Sequence, residues 1–240
     1  MHARPKRGGV YSVTDLGELA ARLGALDVFD RRGDVVWMDD CEDAITKRWT
    51  LAGSGAGYAA GQNWYYCKNG VSAYRLVGGS DSDRYMLLSK IMAEAPAASK
   101  VGLEYSFALD SNIEYLEIGL QSFDGAERYD YLVRYTISTK ILSFYNSQAE
   151  QEEIETLDFD LFEGPPGWHT WKLVIDPDEE EPLRIMLDGW EYLINDYAPA
   201  SAADAGDPGL KLHIKAGSAS GQNGELYVDD ILFTINEPGN

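Results

Sequence analysis

The chain has 240 residues, 45% of them hydrophobic, and a formal net charge of −20. This hydrophobic content supports a sizeable core and argues against a globally disordered chain. The acidic excess argues against a nucleic-acid-binding protein, because contact with phosphates needs a basic face.

The first 34 residues differ in charge from the rest. They hold 6 basic and 5 acidic side chains, whereas residues 35–240 hold 14 basic and 35 acidic ones. A cluster of basic residues beside two glycines, within MHARPKRGG, predicts an extended basic arm. The N-terminus lacks the apolar core of a signal peptide, and no apolar run reaches membrane-spanning length. We therefore expect synthesis in the cytoplasm and no membrane partner.

One short helix is predicted at residues 13–23. Ser12 is a suitable N-cap, Gly24 a suitable stop, and the leucines between them form one apolar stripe. An isolated helix of this length is marginal, so the stripe must pack on the chain's own sandwich or on a neighbouring subunit. Its position outside the sandwich favours a neighbour, in a homo-oligomer or a larger assembly. The residues predicted to mediate assembly are Arg4, Lys6, Arg7, Leu16, Leu19 and Leu23.

From residue 35 onward the sequence predicts an all-β fold, an antiparallel β-sandwich of the jelly-roll type. Short alternating segments are separated by glycine-rich and asparagine-rich turns, as in sandwiches and jelly rolls. Two parts follow: the arm and helix over residues 1–34, and the sandwich over residues 35–240. Strands are predicted near residues 35–39, 48–51, 64–67, 71–77, 85–92, 100–109, 114–121, 128–137, 141–146, 154–159, 210–216 and 225–234. Residues 198–209 are predicted to form a surface loop.

Residues 168–195 predict a meander of three antiparallel strands. Alternation runs through WHTWKLVID, resumes in LRIML after an acidic loop, and continues after an Asp-Gly turn. The pattern WHTWKLVID followed by IMLDG resembles the back-sheet meander of concanavalin-like and laminin-G-like jelly rolls. The resemblance implies a binding or assembly module more than an enzyme.

The opening segment WMDDCED and the closing segment ELYVDDILF together resemble carbohydrate-binding jelly-roll modules. That resemblance implies paired terminal strands, with converging carboxylates that hold a structural Ca²⁺. In the alternative, one aspartate of each pair faces water and the other caps a backbone group. The expected calcium ligands are Asp39, Asp40, Glu42, Asp229 and Asp230.

The segment RYDYLVRYTI is the best candidate for ligand contact. Its residues Tyr129, Tyr131 and Tyr135 share one face of a strand, where they can stack on sugar rings or pack against another sheet. Trp190, beside a tight turn, is the second candidate.

No catalytic motif is apparent. Laminarinase-type relatives of the concanavalin fold carry two acidic residues on one strand face, whereas Glu114 and Glu117 should fall on opposite faces. The chain also lacks the phosphate-binding loop, the nucleophile elbow and the His-Glu-x-x-His zinc motif. We therefore expect a protein that is not an enzyme.

Two functions remain. The first is a structural protein of a phage-type virion or similar particle, such as a decoration or tail component, with the arm contacting neighbours. The second is a carbohydrate-binding module. The basic arm and the lack of a linker to a catalytic domain favour the first, although a shared jelly roll does not determine function.

Overall fold

A computed structural model describes residue 30 and residues 32–79, 84–92, 99–161 and 167–239. The basic arm and the predicted helix at residues 13–23 lie outside the described residues. The assembly roles of Arg4, Lys6, Arg7, Leu16, Leu19 and Leu23 therefore stay predictions.

The described residues form sixteen strands and one helical turn, α1 (Ile45–Arg48). The strands of the first half are β1 (Asp34–Asp39), β2 (Thr50–Ser54), β3 (Ala59–Asn63), β4 (Ala73–Val77), β5 (Tyr85–Met92), β6 (Val101–Leu109), β7 (Ile113–Phe123) and β8 (Glu127–Thr136). Those of the second half are β9 (Ile141–Tyr145), β10 (Gln151–Thr156), β11 (His169–Asp176), β12 (Glu181–Leu187), β13 (Trp190–Leu193), β14 (Ala200–Ala203), β15 (Gly209–Ser218) and β16 (Glu225–Ile235).

Two antiparallel sheets of eight strands make up the sandwich, so the predicted fold class is confirmed. The first sheet has the order β13-β12-β11-β6-β16-β4-β3, with β1 also paired to β16. The second has the order β10-β9-β8-β7-β15-β5-β2, with β14 also paired to β8. The predicted meander is present as the consecutive neighbours β11, β12 and β13.

The core lies between the sheets, because alternate residues of each strand point towards the other sheet. Trp171 and Tyr105 are fully buried there from the first sheet, and Ile118 and Ile214 from the second. At roughly 25 cal/mol per Å² of apolar surface, this burial is the main source of stability.

Several local predictions were wrong, among them the strand near residues 154–159, which lies at Gln151–Thr156. The aromatic segment at residues 64–67 is a run of bends rather than a strand, and the strand of this region is β3, just before it. The strand predicted from residue 48 begins at Thr50, because residues 45–48 form α1. The predicted loop at residues 198–209 contains β14, which pairs with β8.

The outer face of the first sheet is partly closed by buried ion pairs. The Lys172 ammonium lies 2.9 Å from an Asp30 oxygen and 2.7 Å from a Glu237 oxygen. Glu237 also receives the Arg184 guanidinium at 2.7 Å. These contacts tie residue 30 and the segment after β16 across the middle of that sheet, which leaves the outer face of the second sheet as the better place for a ligand.

Candidate functional site

A cavity of about 760 Å³ opens on the outer face of the second sheet. Its walls come from the ends of β2, β5, β7, β8 and β15. This volume lies within the range of small-molecule sites, roughly 300–1,000 Å³. The lining residues are Ser54, Arg84, Tyr85, Glu114, Tyr115, Arg134, Lys215 and Ser218.

The floor of the cavity is a row of side chains that the strand register places side by side. Lys215 of β15 is opposite Glu117 of β7, and Glu117 is opposite Arg134 of β8. The Arg134 guanidinium donates to a Glu117 oxygen at 2.8 Å, and the Lys215 ammonium lies 3.6 Å from the other oxygen. His213, two residues before Lys215 on the same face, brings its Nε2 to 2.8 Å from Glu117. One buried carboxylate is therefore surrounded by two permanent cations and an imidazole.

Glu117 stays ionised at any ordinary pH. Burial by itself would raise the pKa of this carboxyl. The hydrogen bond with His213 and the charges of His213, Lys215 and Arg134 outweigh burial and lower the pKa to about 2. Glu117 is therefore a fixed negative charge that holds the cations in place.

Tyrosine rings pack against the two cations. The Arg134 guanidinium carbon lies 3.9 Å from the centre of the Tyr115 ring and 5.1 Å from that of Tyr145. The Lys215 ammonium lies 4.8 Å from the centre of the Tyr85 ring. Cation–π contacts at such distances are attractive and fix the orientation of both partners. The rings and cations thus form one ordered polar and aromatic wall.

A bulge in β7 directs a second acidic side chain into the cavity. The pairing of β7 with β15 shifts near Tyr115, which is opposite Gly217, while Ile113 is opposite the next residue, Ser218. Glu114 is the extra residue, and bulges commonly redirect side chains in this way. Its carboxylate lines the cavity and accepts a hydrogen bond from Arg84 at 2.9 Å. The predicted placement of Glu114 and Glu117 on opposite faces was therefore wrong, because strict alternation fails at the bulge.

The predicted row of tyrosines on β8 mainly packs against the other sheet and does not form a ligand-binding surface. Tyr131 and Tyr135 are 0% and 1% exposed and belong to the core between the sheets. A sugar has no access to them, so the ligand-binding prediction for these two residues is corrected. Tyr129, nearer the end of β8, is partly buried and lines a separate cavity of about 400 Å³ beside the acidic residues 179–181.

Two aromatic surfaces lie away from the cavity. Trp190 is 62% exposed, as its position beside a turn predicted, and its ring stacks on that of Phe159. It lies on β13, the edge strand of the first sheet. Trp64 and Tyr65, in the bends after β3, are also exposed. Sequence reasoning placed these two in a strand and so missed them as a surface.

The predicted acidic end of the sandwich is present. Strand β1 pairs with β16, with Asp39 opposite Ile231, next to Asp229 and Asp230. Burial and the neighbouring Asp230 raise the pKa of Asp229 to about 7. Burial, and to a smaller extent the charge of Asp40 just after β1, also raise the pKa of Asp230.

The carboxylates at this end are largely satisfied by hydrogen-bond donors. Asp39 accepts from the Trp49 indole at 2.8 Å and from the Tyr74 hydroxyl, and Asp229 accepts from the backbone N–H of Lys68 at 2.8 Å. A Glu42 oxygen accepts from backbone N–H groups of the segment before β4, and Asp40 is exposed. Among the described residues, no group of three or more His, Cys, Asp or Glu side chains is arranged to hold a metal ion. This arrangement resembles the capping alternative, and calcium binding stays a prediction.

Within the part of the chain that the structure describes, no helix is long and apolar enough to span a membrane.

No protein-family model matches the sequence, and no curated protein shows significant similarity to it. The fold is nevertheless similar to solved structures. A cellulose-induced protein, Cip1, is 13% identical, with a TM-score of 0.55 over 82% of this chain and 96% of that one. Lectin UEA-II, complexed with galactose, is 9% identical, with a TM-score of 0.53 over 85% of this chain and 99% of the lectin.

An endo-β-1,4-glucuronan lyase from the fungus Trichoderma reesei is 10% identical, with a TM-score of 0.52 over 83% of this chain and 95% of the lyase. At such low identities the likeness concerns the fold. The chain therefore shares the jelly-roll fold of these solved structures.

Proposed function

We propose that this chain binds carbohydrate in the cavity on the outer face of the second sheet. The observation that carries the proposal is the cavity itself, where the rings of Tyr85 and Tyr115 stand beside ordered charged side chains. Aromatic rings stack on sugar rings, and fixed polar groups select among hydroxyl and acidic substituents. The fold likeness to a lectin complexed with galactose agrees with this role and favours it over a virion component.

We propose a binding role rather than glycoside hydrolysis. A glycosidase needs a carboxylic acid with a raised pKa, together with a second carboxyl group across the sugar. The carboxyl beneath the cavity, Glu117, has its pKa lowered to about 2 and is 2% exposed, so it has no proton to donate and little access to a substrate. The remaining acid, Glu114, is paired with Arg84.

The experiment is a binding titration of the full chain against a panel of soluble neutral and acidic oligosaccharides, by calorimetry. Replacing Tyr115 with alanine removes a stacking ring worth ~1 kcal/mol and is expected to weaken binding about fivefold. Trp190→Ala is the matched control, because it removes an exposed aromatic ring from the other sheet. If the panel shows no binding, the proposal is wrong; if only Trp190→Ala weakens binding, the ligand sits at the edge of the first sheet.

The assembly role remains a second proposal, supported by the charge contrast between residues 1–34 and the acidic remainder. The apolar stripe would supply most of the affinity, at roughly 1.5–3 kcal/mol per buried leucine. Light scattering of the full chain tests this idea, with the double variant Leu16→Asp, Leu19→Asp as comparison. A monomeric wild type, or a double variant of unchanged size, would rule the stripe out as an assembly surface.

A further inference from the structure

We infer that the saccharide bound in this cavity is anionic, with a carboxylate group, as in a uronic acid, that meets Arg134 and Lys215. The inference rests on the proposed carbohydrate binding and specifies the chemical class of the ligand. It depends on the sign of the charge in the cavity, on the exposure of the charged groups and on how firmly they are held.

The cavity reverses the charge balance of the chain. The whole sequence has 20 basic and 40 acidic side chains. Among the charged residues that line the cavity, three are basic, Arg84, Arg134 and Lys215, and one is acidic, Glu114. A basic cavity in so acidic a protein raises the local concentration of an anionic ligand relative to the surrounding surface.

The cations face the cavity more than their counter-ion does. Glu117 has 2% of its side chain exposed, whereas Arg134 keeps 17% and Lys215 keeps 19%. The carboxylate therefore lies beneath the cations, and a single negative charge is shared between two permanent positive ones. The row has a surplus of positive charge directed at the ligand.

The cations are also held in place before any ligand arrives. Arg134 is fixed by its hydrogen bonds with Glu117 and by the Tyr115 and Tyr145 rings, and Lys215 by Glu117 and the Tyr85 ring. Binding to groups that are already ordered loses less side-chain entropy. A planar guanidinium also suits the planar, two-oxygen geometry of a carboxylate.

The acidic excess of the whole chain disfavours a long polyanion, so short probes are the appropriate ones. The test measures binding of the full chain to short oligouronides and to the same oligosaccharides after their carboxyl groups have been reduced to alcohols. The sugar rings and linkages are then identical, and only the charge differs. We expect the uronides to bind at least about tenfold more tightly, the factor that corresponds to one charge-assisted hydrogen bond.

Matched variants locate the site. Lys215→Gln is expected to lose about tenfold in affinity for the uronide and clearly less for the reduced oligosaccharide, so that the preference for the uronide shrinks. Lys211→Gln is the control, because Lys211 has the same charge and lies on the same strand and face, about 13 Å away by strand geometry and outside the cavity lining. Arg134→Lys keeps the positive charge beside Glu117 and so avoids the folding defect that a neutral residue would risk. A melting curve of every variant checks that it is folded.

The outcomes separate the two proposals. Preference for the uronide, lost in Lys215→Gln and kept in Lys211→Gln, supports the inference. Equal binding of both forms overturns the anionic ligand and leaves carbohydrate binding intact. Absence of binding to either form overturns both proposals. Uronide preference that is unchanged in a folded Lys215→Gln protein overturns the contact between the ligand carboxylate and Lys215.

Discussion

Replacing Glu117 with glutamine is expected to lower the free energy of unfolding by about 3 kcal/mol near neutral pH. Glutamine keeps the shape of the side chain but removes the charge between Arg134, Lys215 and His213. In the folded protein these neighbours lower the pKa of Glu117 from its ordinary value of 4.5 to about 2. Each pKa unit of difference between the folded and unfolded states is worth about 1.4 kcal/mol, which gives the stated magnitude.

The pH dependence identifies charge as the cause. Because the pKa of Glu117 is lower in the folded state, its stabilising effect is complete above about pH 4.5 and is lost as the pH falls towards about 2. The difference in unfolding free energy between wild type and Glu117→Gln should therefore shrink over that interval. Urea unfolding, followed by tryptophan fluorescence at a series of pH values, measures it.

The control for this experiment is Glu152→Gln. Glu152 is an exposed residue of the edge strand β10, and the change should alter stability by no more than about 0.5 kcal/mol at any pH. A Glu117→Gln deficit of the same size in neutral and acidic solution would refute the reasoning. It would mean that the glutamine amide disturbs packing, and that the cations do not depend on the charge of Glu117.

Three further predictions concern other parts of the sandwich. Gly217→Ala is expected to cost about 1–3 kcal/mol in thermal unfolding and to weaken saccharide binding, because the added Cβ would overlap the Tyr115 ring. The matched strand variant Gly61→Ala has open space around the added Cβ and should change neither stability nor binding. Tyr131→Ala is expected to cost about 3–5 kcal/mol in urea unfolding, because its ring is core, and a mild loss would contradict that burial. Without a bound cation, the free energy of unfolding should fall as the pH rises towards 7, because the pKa of Asp229 is raised in the folded state. Ca²⁺ should therefore raise the melting temperature more above pH 7 than below it. Identical melting curves with Ca²⁺ and with a chelator would make the calcium prediction wrong.

The fold could be predicted from sequence because strand alternation is a local signal. The meander follows from segments whose polar and apolar residues alternate. The pairing of the terminal strands was implied by the resemblance of their sequences to carbohydrate-binding jelly rolls. The segment at residues 64–67 was misplaced because aromatic residues favour strands on average, while Asn63 accepts hydrogen bonds from the N–H groups of Tyr65 and Tyr66 and turns the chain there.

The site could not be predicted because it depends on register between distant strands. Glu117 and Lys215 are far apart in the sequence and become neighbours only through the pairing of β7 with β15. A partial signal existed in β15, where Lys211, His213 and Lys215 occupy every second position and so share one face. The tyrosines of β8 directed the prediction to the face of that strand that is buried in the core. Arg134, on the outer face of β8, is the residue that lines the cavity.

Net charge and local charge lead to different conclusions about ligands in this chain. The net charge of −20 argues against a partner that needs a large basic surface on this protein, but it does not describe a local cavity whose lining is mainly basic. Burial of Glu117 explains how a basic cavity lining can coexist with a strongly acidic chain. A buried carboxylate is tolerated only when cations surround it, and once it lies beneath them those cations are the groups that a ligand meets. An acidic residue thus produces the positive face of the cavity, and a ligand's carboxylate would complete the pairing of charges that Glu117 leaves unfinished.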